Sequence, residues 1–362
     1  MLSAALAWTT PQRPPVASAV GSCSALRAHN TSQPLAEFSS RNFASRPLSD
    51  ANLRPPASRR ATAIACAASP SEEPANSNAP SSSAAARLTV ASLHRYLVKS
   101  CAGERLAAAT LTEEGLDGDR RYLVTSAGGM YQTQRVQPKL ATVQASASAN
   151  TLTLRAPGVE PLNVSATAIA AATTTATLFS DKVSLRDAGG AAAKWFSQVL
   201  GSGGSLLPLL GLPTFKLLAA GPRRTGRPGG LSDLAPILLI CDASLVALNA
   251  RRLAASLPPV PMDRFRPNVV VSGCAPFEED TWCAINFGAQ ATQLITEYPC
   301  PRCTVPNVDQ ATGTVDPPAV SPMRTLRDFR VRGGAVNFGV YLRPTGDLGT
   351  LKVGDGLTVQ PC

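Results

Sequence analysis

The sequence predicts a mainly β chain with some helices (α+β), organised as two folded units, on three observations. Short alternating runs of apolar and polar residues recur between Gly, Asp and Pro turns, the strand spacing of a barrel or mixed sheet. Only three stretches carry helical periodicity. The chain is 362 residues long and 44% hydrophobic, enough for a core, and at roughly 150 residues per domain that length suits two units.

The N-terminal stretch reads as a leader rather than a fold. Residues 1–66 hold seven Arg, no Lys and two acids among Ser, Ala and Pro, without the apolar run of a secretory signal. This composition reads as an organelle transit peptide ending near Cys66, with a chloroplast expected ahead of a mitochondrion. Residues 67–86 read as a disordered linker rich in Ser, Ala, Pro and Asn. The folded units are expected over 87–205 and 206–361. No run approaches the ~18 apolar residues of a membrane helix, so no transmembrane anchor is expected. Beyond the leader, 27 basic and 22 acidic residues leave a balance too mild for a nucleic-acid track, and no nucleic-acid partner is expected.

Element by element, 88–97, 121–125, 140–145, 151–155 and 175–179 read as strands. A helix is expected over 191–200, where Trp195, Phe196 and Val199 fall on one face. A second begins after Asp242, a good N-cap, and repeats Leu245, Leu248 and Leu253. A third follows Ser321-Pro322. Strands are expected again over 268–271, 281–287, 293–298 and 337–342, with 351–359 as a closing hairpin. The basic, Gly/Pro-rich stretch 221–230 reads as a loop near the boundary between the units.

Nine cysteines occur, and the first two, Cys23 and Cys66, belong to the leader. The seven others are unevenly spaced and, behind an organelle leader, are expected to be reduced thiols. His94 is the sole histidine after the leader; it sits in a strand-like run and reads as a half-buried residue, which excludes His-rich metal sites. Four constellations remain. Cys300-Pro301-Arg302-Cys303 lacks a second pair to complete a zinc site, but a thiolate beside Arg302 suits a soft metal. Lys99-Ser100-Cys101 at a strand end suits a phosphate oxygen or a solvated turn. A Gly-rich turn over 115–118 leads to adjacent Arg120 and Arg121, of which strand alternation turns one inward, toward an anion. Arg266 and Asn268, two apart in an extended segment, share a face fit for anion recognition or for a structural ion pair.

Taken in order, Lys99-Ser100-Cys101, Arg121-Tyr122, Asp187 ahead of Lys194-Trp195, Phe265-Arg266-Pro267-Asn268, Cys300 with Arg302-Cys303, Val308-Asp309 with Thr312-Gly313, Thr325-Leu326, Phe338-Gly339 with Tyr341, and 351–355 resemble the amidoxime-reducing component family. The resemblance spans about residues 87–361. It implies an N-terminal β-barrel domain followed by a molybdenum cofactor sulfurase C-terminal (MOSC) β-barrel domain. It further implies a molybdenum cofactor (Mo-molybdopterin) held by the Cys303 thiolate, the metal ligand and catalytic residue, and by the pyranopterin dithiolene. Lys99, Ser100, Arg121, Arg266, Asn268, Arg302 and Tyr341 match the family's cofactor-anchoring positions. Pro301 departs from a slot that is usually small and polar. The implied activity is reduction of small N-hydroxylated compounds such as amidoximes and hydroxylamines, with nitrite open. Electrons would come from a cytochrome b5-type donor and its flavoprotein reductase; the chain carries no nicotinamide or flavin fingerprint of its own. The alternative class is a non-catalytic molybdenum-cofactor carrier or sulfur-transfer accessory protein. The length leaves no room for the pyridoxal-phosphate domain of full-length sulfurases, so pyridoxal phosphate is not expected.

Overall fold

The computed structural model describes residues 87–148, 150–201, 213–221, 230–288, 292–346 and 348–362. The expected leader and linker, and most of the 221–230 loop, lie outside the described residues. Within them the chain is mostly β with three helices, α1 (Gly190–Leu200), α2 (Asp242–Ala254) and α3 (Pro322–Arg327).

The largest sheet runs, in spatial order, through Leu357–Pro361, Trp282–Phe287, Thr292–Pro301, Ala335–Gly346, Ile237–Cys241, Val269–Ser272, Thr89–Arg95 and Glu104–Leu106. Each neighbouring pair in this order is antiparallel except Ile237–Cys241 with Val269–Ser272. A parallel pair needs a crossover, and α2 supplies it. Such a strand is covered on both faces, which explains the unbroken apolar run of Ile237–Cys241. Ile237, Leu239 and Cys241 face a core with Leu93, Leu111, Trp282 and Leu351. Leu238 and Ile240 face a second core with Leu248, Phe265, Leu326 and Phe338, under α2 and α3. Gly339 is demanded here: its φ is +79°, and a Cβ would meet the Leu239 carbonyl oxygen at 2.7 Å.

A four-stranded antiparallel sheet joins Tyr122–Ser126, Phe215–Ala219, Asp181–Asp187 and Thr173–Leu178. Helix α1 packs Ala192, Trp195, Phe196 and Leu200 against Leu140, Leu152, Leu154, Phe215 and Leu217, and Trp195 Nε1 donates to the Glu160 carbonyl at 2.7 Å.

Several expectations are corrected by the pairing. The stretch 351–359 is not a hairpin: Thr350–Lys352 pairs with Ala108–Thr112, and Leu357–Pro361 with Trp282–Phe287. Residues 140–145 do not form one strand, because Pro138 starts a 3-10 turn (Pro138–Thr142) and the strand begins only at Gln144. Asp242 is the first helical residue rather than the cap; its Oδ1 accepts from the Ala243 amide at 2.6 Å. The thiols are not all reduced. The register shifts between Trp282, opposite Pro361, and Ala284, opposite Gln360, so Cys283 is an extra, bulged residue there; it lies 4.8 Å from Cys362 at Cα, and the two are joined as a disulfide. Apart from these corrections, strands pair across 205/206: Thr89–Arg95 adds to Val269–Ser272, and Phe215–Ala219 joins strands that precede it, without deciding where the expected units divide.

Two outcomes follow for stability. The disulfide closes a 79-residue separation, a loop long enough for about 4 kcal/mol of chain-entropy stabilisation. Cys283→Ser is therefore expected to lower Tm, with added reductant lowering wild-type Tm but not the variant's. Glu279, fully buried, accepts from the Ser244 hydroxyl at 2.8 Å and from the Cys241 amide at 3.3 Å, and burial raises its pKa. The folded state thus binds this proton more tightly than the unfolded chain, and stability falls as pH rises from the usual 4.5 through the folded value. Glu279→Gln is expected to flatten that part of the Tm-against-pH curve.

Candidate functional site

The site is built around a tyrosine. Tyr96 follows the first strand, is 2% exposed, and donates its hydroxyl to the Pro267 carbonyl at 3.1 Å. Burial pushes its phenol pKa up to about 12, so it stays neutral. Gly103 lets the ring in, since a Cβ there would meet Tyr96 Cε1 at 2.5 Å. Two guanidinium groups lie over the ring, Arg120 at 4.6 Å and Arg266 at 4.3 Å from its centroid.

Each arginine is held in place by its own partners. Arg120 has φ +46° at the end of the Gly-rich turn; it pairs with Asp119 and donates to Asn268 Oδ1 at 2.9 Å. Arg266 has φ +56° as the left-handed cap of a 3-10 turn (Met262–Phe265) and donates to Gln310 Oε1 at 3.1 Å. Burial lowers its pKa. Arg302 donates to the Phe265 carbonyl at 2.7 Å and to Cys300 Sγ at 3.1 Å. Lys99 is buried; its ammonium donates to the Leu231 carbonyl at 2.9 Å and pairs with Asp233. It also stands 5.6 Å from the Phe179 ring.

These groups line one cavity of about 240 Å³. Of the expected residues, Lys99, Ser100, Arg266, Asn268, Arg302, Cys303 and Tyr341 all line it. Arg121 does not, and Arg120 does. Alternation expected one of the two to turn inward, and the resemblance named Arg121; because the strand starts at Tyr122, Arg120 lies in a turn whose left-handed backbone swings its side chain to the cavity instead. The extended-face premise for Arg266 and Asn268 fails too: Arg266 is a left-handed cap, and Asn268 spends its amide on the protein, accepting from the Leu238 amide and donating to the His94 carbonyl, both at 3.2 Å. The structural ion pair weighed for this segment belongs instead to Arg264, which contacts Asp309 at 2.9 Å and Asp316 at 2.7 Å.

The two cysteines of the Cys-x-x-Cys run separate. Both line the cavity, but Cys300 is 1% exposed and packed in the core on one side, whereas Cys303 is exposed. Tyr341 has its pKa raised, by burial first and by Cys300 second. His94 is half-buried against Ser92 and lies away from the cavity, as its sequence setting suggests.

Sequence reading missed Gln134. It is 1% exposed, and its amide exchanges two hydrogen bonds with the Gln310 amide, at 2.8 and 3.0 Å, while also donating to the Ser100 carbonyl. The pair lies 176 residues apart in sequence, and no local pattern marks either residue. In all, five cationic side chains (Lys99, Arg120, Arg135, Arg266, Arg302) and one carboxylate, Asp233, line the cavity among the described residues. Such a lining carries positive potential suited to an anion, with a thiol at hand.

Comparison with known proteins agrees with this chemistry. Residues 87–203 match the model of the MOSC N-terminal beta barrel domain, and residues 227–358 that of the MOSC domain. The chain is 33% identical over 289 residues to mitochondrial amidoxime reducing component 2 of Rattus norvegicus, covering 74% of this chain and 82% of the relative. It is 31% identical over 296 residues to mitochondrial amidoxime-reducing component 1 of Homo sapiens, with 74% and 81% covered. The molybdenum cofactor sulfurase of Anopheles gambiae is 31% identical over 288 residues, which cover 73% of this chain but 35% of that longer protein. With both domain models matched in order and the amidoxime-reducing relatives aligned over most of their length, the chain belongs to the amidoxime-reducing component family of MOSC proteins.

Proposed function

We propose that this protein is a molybdenum-cofactor-dependent reductase of small N-hydroxylated compounds, amidoximes and hydroxylamines first, fed by a cytochrome b5-type donor and its flavoprotein reductase. The observation that carries this reading is the meeting, in one cavity, of the exposed Cys303 thiol with five cations and a single carboxylate among the described residues. A pterin phosphate bearing a metal-binding dithiolene is an anion at one end and a soft-metal site at the other, and the donor set fits both ends. Among the described residues no three His, Cys, Asp or Glu side chains converge on a metal position, so a metal on Cys303 would take its other ligands from the dithiolene. When bound, the cofactor supplies the two-electron chemistry that cleaves the N–O bond.

The protein's own groups do the rest. Lys99, Ser100, Arg120 and Arg266 hold the anionic tail; Arg120 takes the role that the family resemblance assigned to Arg121. Asn268 fixes Arg120, and Gln310 fixes Arg266, so neither guanidinium must reorganise when an anion arrives. Arg302, pinned by the Phe265 carbonyl and Cys300 Sγ, keeps positive potential beside Cys303. Tyr341, its phenol held above the ordinary value by burial, retains its proton at neutral pH and serves as a hydrogen-bond donor.

A second reading, a cofactor carrier or sulfur-transfer protein, draws on the likeness to the Anopheles gambiae sulfurase. Turnover separates them: metal-loaded protein that reduced no N-hydroxylated compound with any electron donor would favour the carrier. For location, we propose an organelle, a chloroplast ahead of a mitochondrion. The leader composition supports it, although the amidoxime-reducing relatives cited above are mitochondrial by name.

Cys303→Ala is expected to purify with little molybdenum by elemental analysis and with no measurable turnover. Cys300→Ser, which keeps an acceptor for Arg302, should retain most of both; equal loss in the two variants would replace the single-thiolate reading with a dithiol. Residues 1–86 fused to a fluorescent reporter are expected to enter chloroplasts and be trimmed there, and full-length reporter in a membrane pellet would refute the transit-peptide reading.

A further inference from the structure

Cys241 and Cys274 stand apart from the cavity, and neither lines it. Cys241 closes the strand Ile237–Cys241 and pairs with Val271 on the parallel neighbour. The Cys274 thiol reaches back to the carbonyl of that same Val271, at 3.9 Å. The two thiols therefore meet: Cys274 packs against the core cluster that contains Cys241 and Val271, and its side chain is hydrogen-bonded to that of Cys241. They differ in access. Cys241 is 0% exposed, whereas Cys274 is half-buried in a bend between the exposed Gly273 and Ala275. Glu279, fully buried, completes the cluster, since the Cys241 side chain hydrogen-bonds to its carboxylate.

We propose that Cys241 and Cys274 form a reversible oxidation site for a small hydroperoxide: Cys274 meets the oxidant, and Cys241 resolves it to an intramolecular disulfide. In the first step the Cys274 sulfur attacks the peroxide. An S–O bond forms, the O–O bond breaks, the thiol proton leaves with the departing oxygen as water or alcohol, and the sulfur is oxidised to a sulfenic acid. In the second step the Cys241 thiol gives its proton to Glu279 and attacks that sulfur; the S–S bond forms, the S–O bond breaks, and hydroxide departs as water with the proton. Two thiols and one hydrogen peroxide thus become one disulfide and two waters. The Cys274 contact first and burial second hold the Cys241 thiol above its ordinary range, so it is a poor nucleophile toward a free oxidant. Against the Cys274 sulfur it reacts within the molecule, where positioning offsets that handicap, and burial raises the proton affinity of the acceptor, Glu279. Closing a thiol contact to bond length asks for a small movement, which the bend holding Cys274, outside the strand Val269–Ser272, supplies.

The test is mass spectrometry of full-length protein treated with hydrogen peroxide, alkylated at its remaining thiols and digested at acidic residues, which separates Cys274 from Cys283. Wild type is expected to yield a linked Cys241–Cys274 peptide pair that dithiothreitol takes apart. Cys241→Ala should stop at a Cys274 sulfenic acid trapped by dimedone, and Cys274→Ser should leave Cys241 unmodified. Glu279→Gln should lengthen the life of the trapped species about tenfold, through loss of the proton acceptor; an unchanged lifetime overturns that role. The proposal itself is overturned if wild-type Cys274 is unmodified or oxidised without a bond to Cys241, if it pairs with Cys283 or Cys362 instead, or if Cys241 is oxidised in Cys274→Ser. The wild-type peptides decide the matter even where a variant fails to fold, and neither the cavity nor its cofactor enters the readout.

Discussion

Gathering five like charges around one small cavity is the constraint on which the rest of this structure depends. Desolvated guanidinium and ammonium groups are costly unless each finds acceptors, and here every one of the four inner cations has them. The Tyr96 ring takes two arginines, Asn268 and Asp119 take Arg120, Gln310 takes Arg266, and the Phe265 carbonyl with Cys300 Sγ takes Arg302. Lys99 is held by the Leu231 carbonyl and Asp233. What survives this compensation is a surplus of positive potential, the feature on which the proposed anion binding rests.

The partners come from both halves of the chain, which explains why the halves are stitched together. Tyr96 and Arg120 precede the helix α1 region; Arg266, Asn268, Arg302 and Gln310 follow it. Adding Thr89–Arg95 to the edge of Val269–Ser272 delivers Tyr96 beside Pro267, and the Gln134–Gln310 amide pair locks the opposite side of the cavity. Loosening either seam would separate charges from their acceptors. Stability and anion binding are thus linked through the same side chains.

Much of the strand pattern was legible because alternation is local: Thr151–Ala156, Trp282–Phe287 and the helix α1 periodicity lie where the spacing put them, to within a residue or two. Strands such as Ile237–Cys241 and Phe215–Ala219 carried no usable alternation, because tertiary packing covers both faces of the first and the second sits beside a polar-poor run. The apparent hairpin at 351–359 failed because turn chemistry says where a chain reverses but not which strand it then pairs with.

The sequence by itself determined the family, the mainly β class, the helix positions and seven of the eight cavity residues it named, because each of these is carried by short motifs whose spacing survives without knowledge of the fold. Only the tertiary structure decided between Arg120 and Arg121, which depends on one left-handed backbone angle, and between Cys300 and Cys303 as buried and exposed thiols. It alone paired Cys283 with Cys362, Gln134 with Gln310 and Lys99 with Asp233. Those contacts join residues far apart in sequence, and the loop-closure entropy of bringing them together is met by the whole packed core rather than by any local signal.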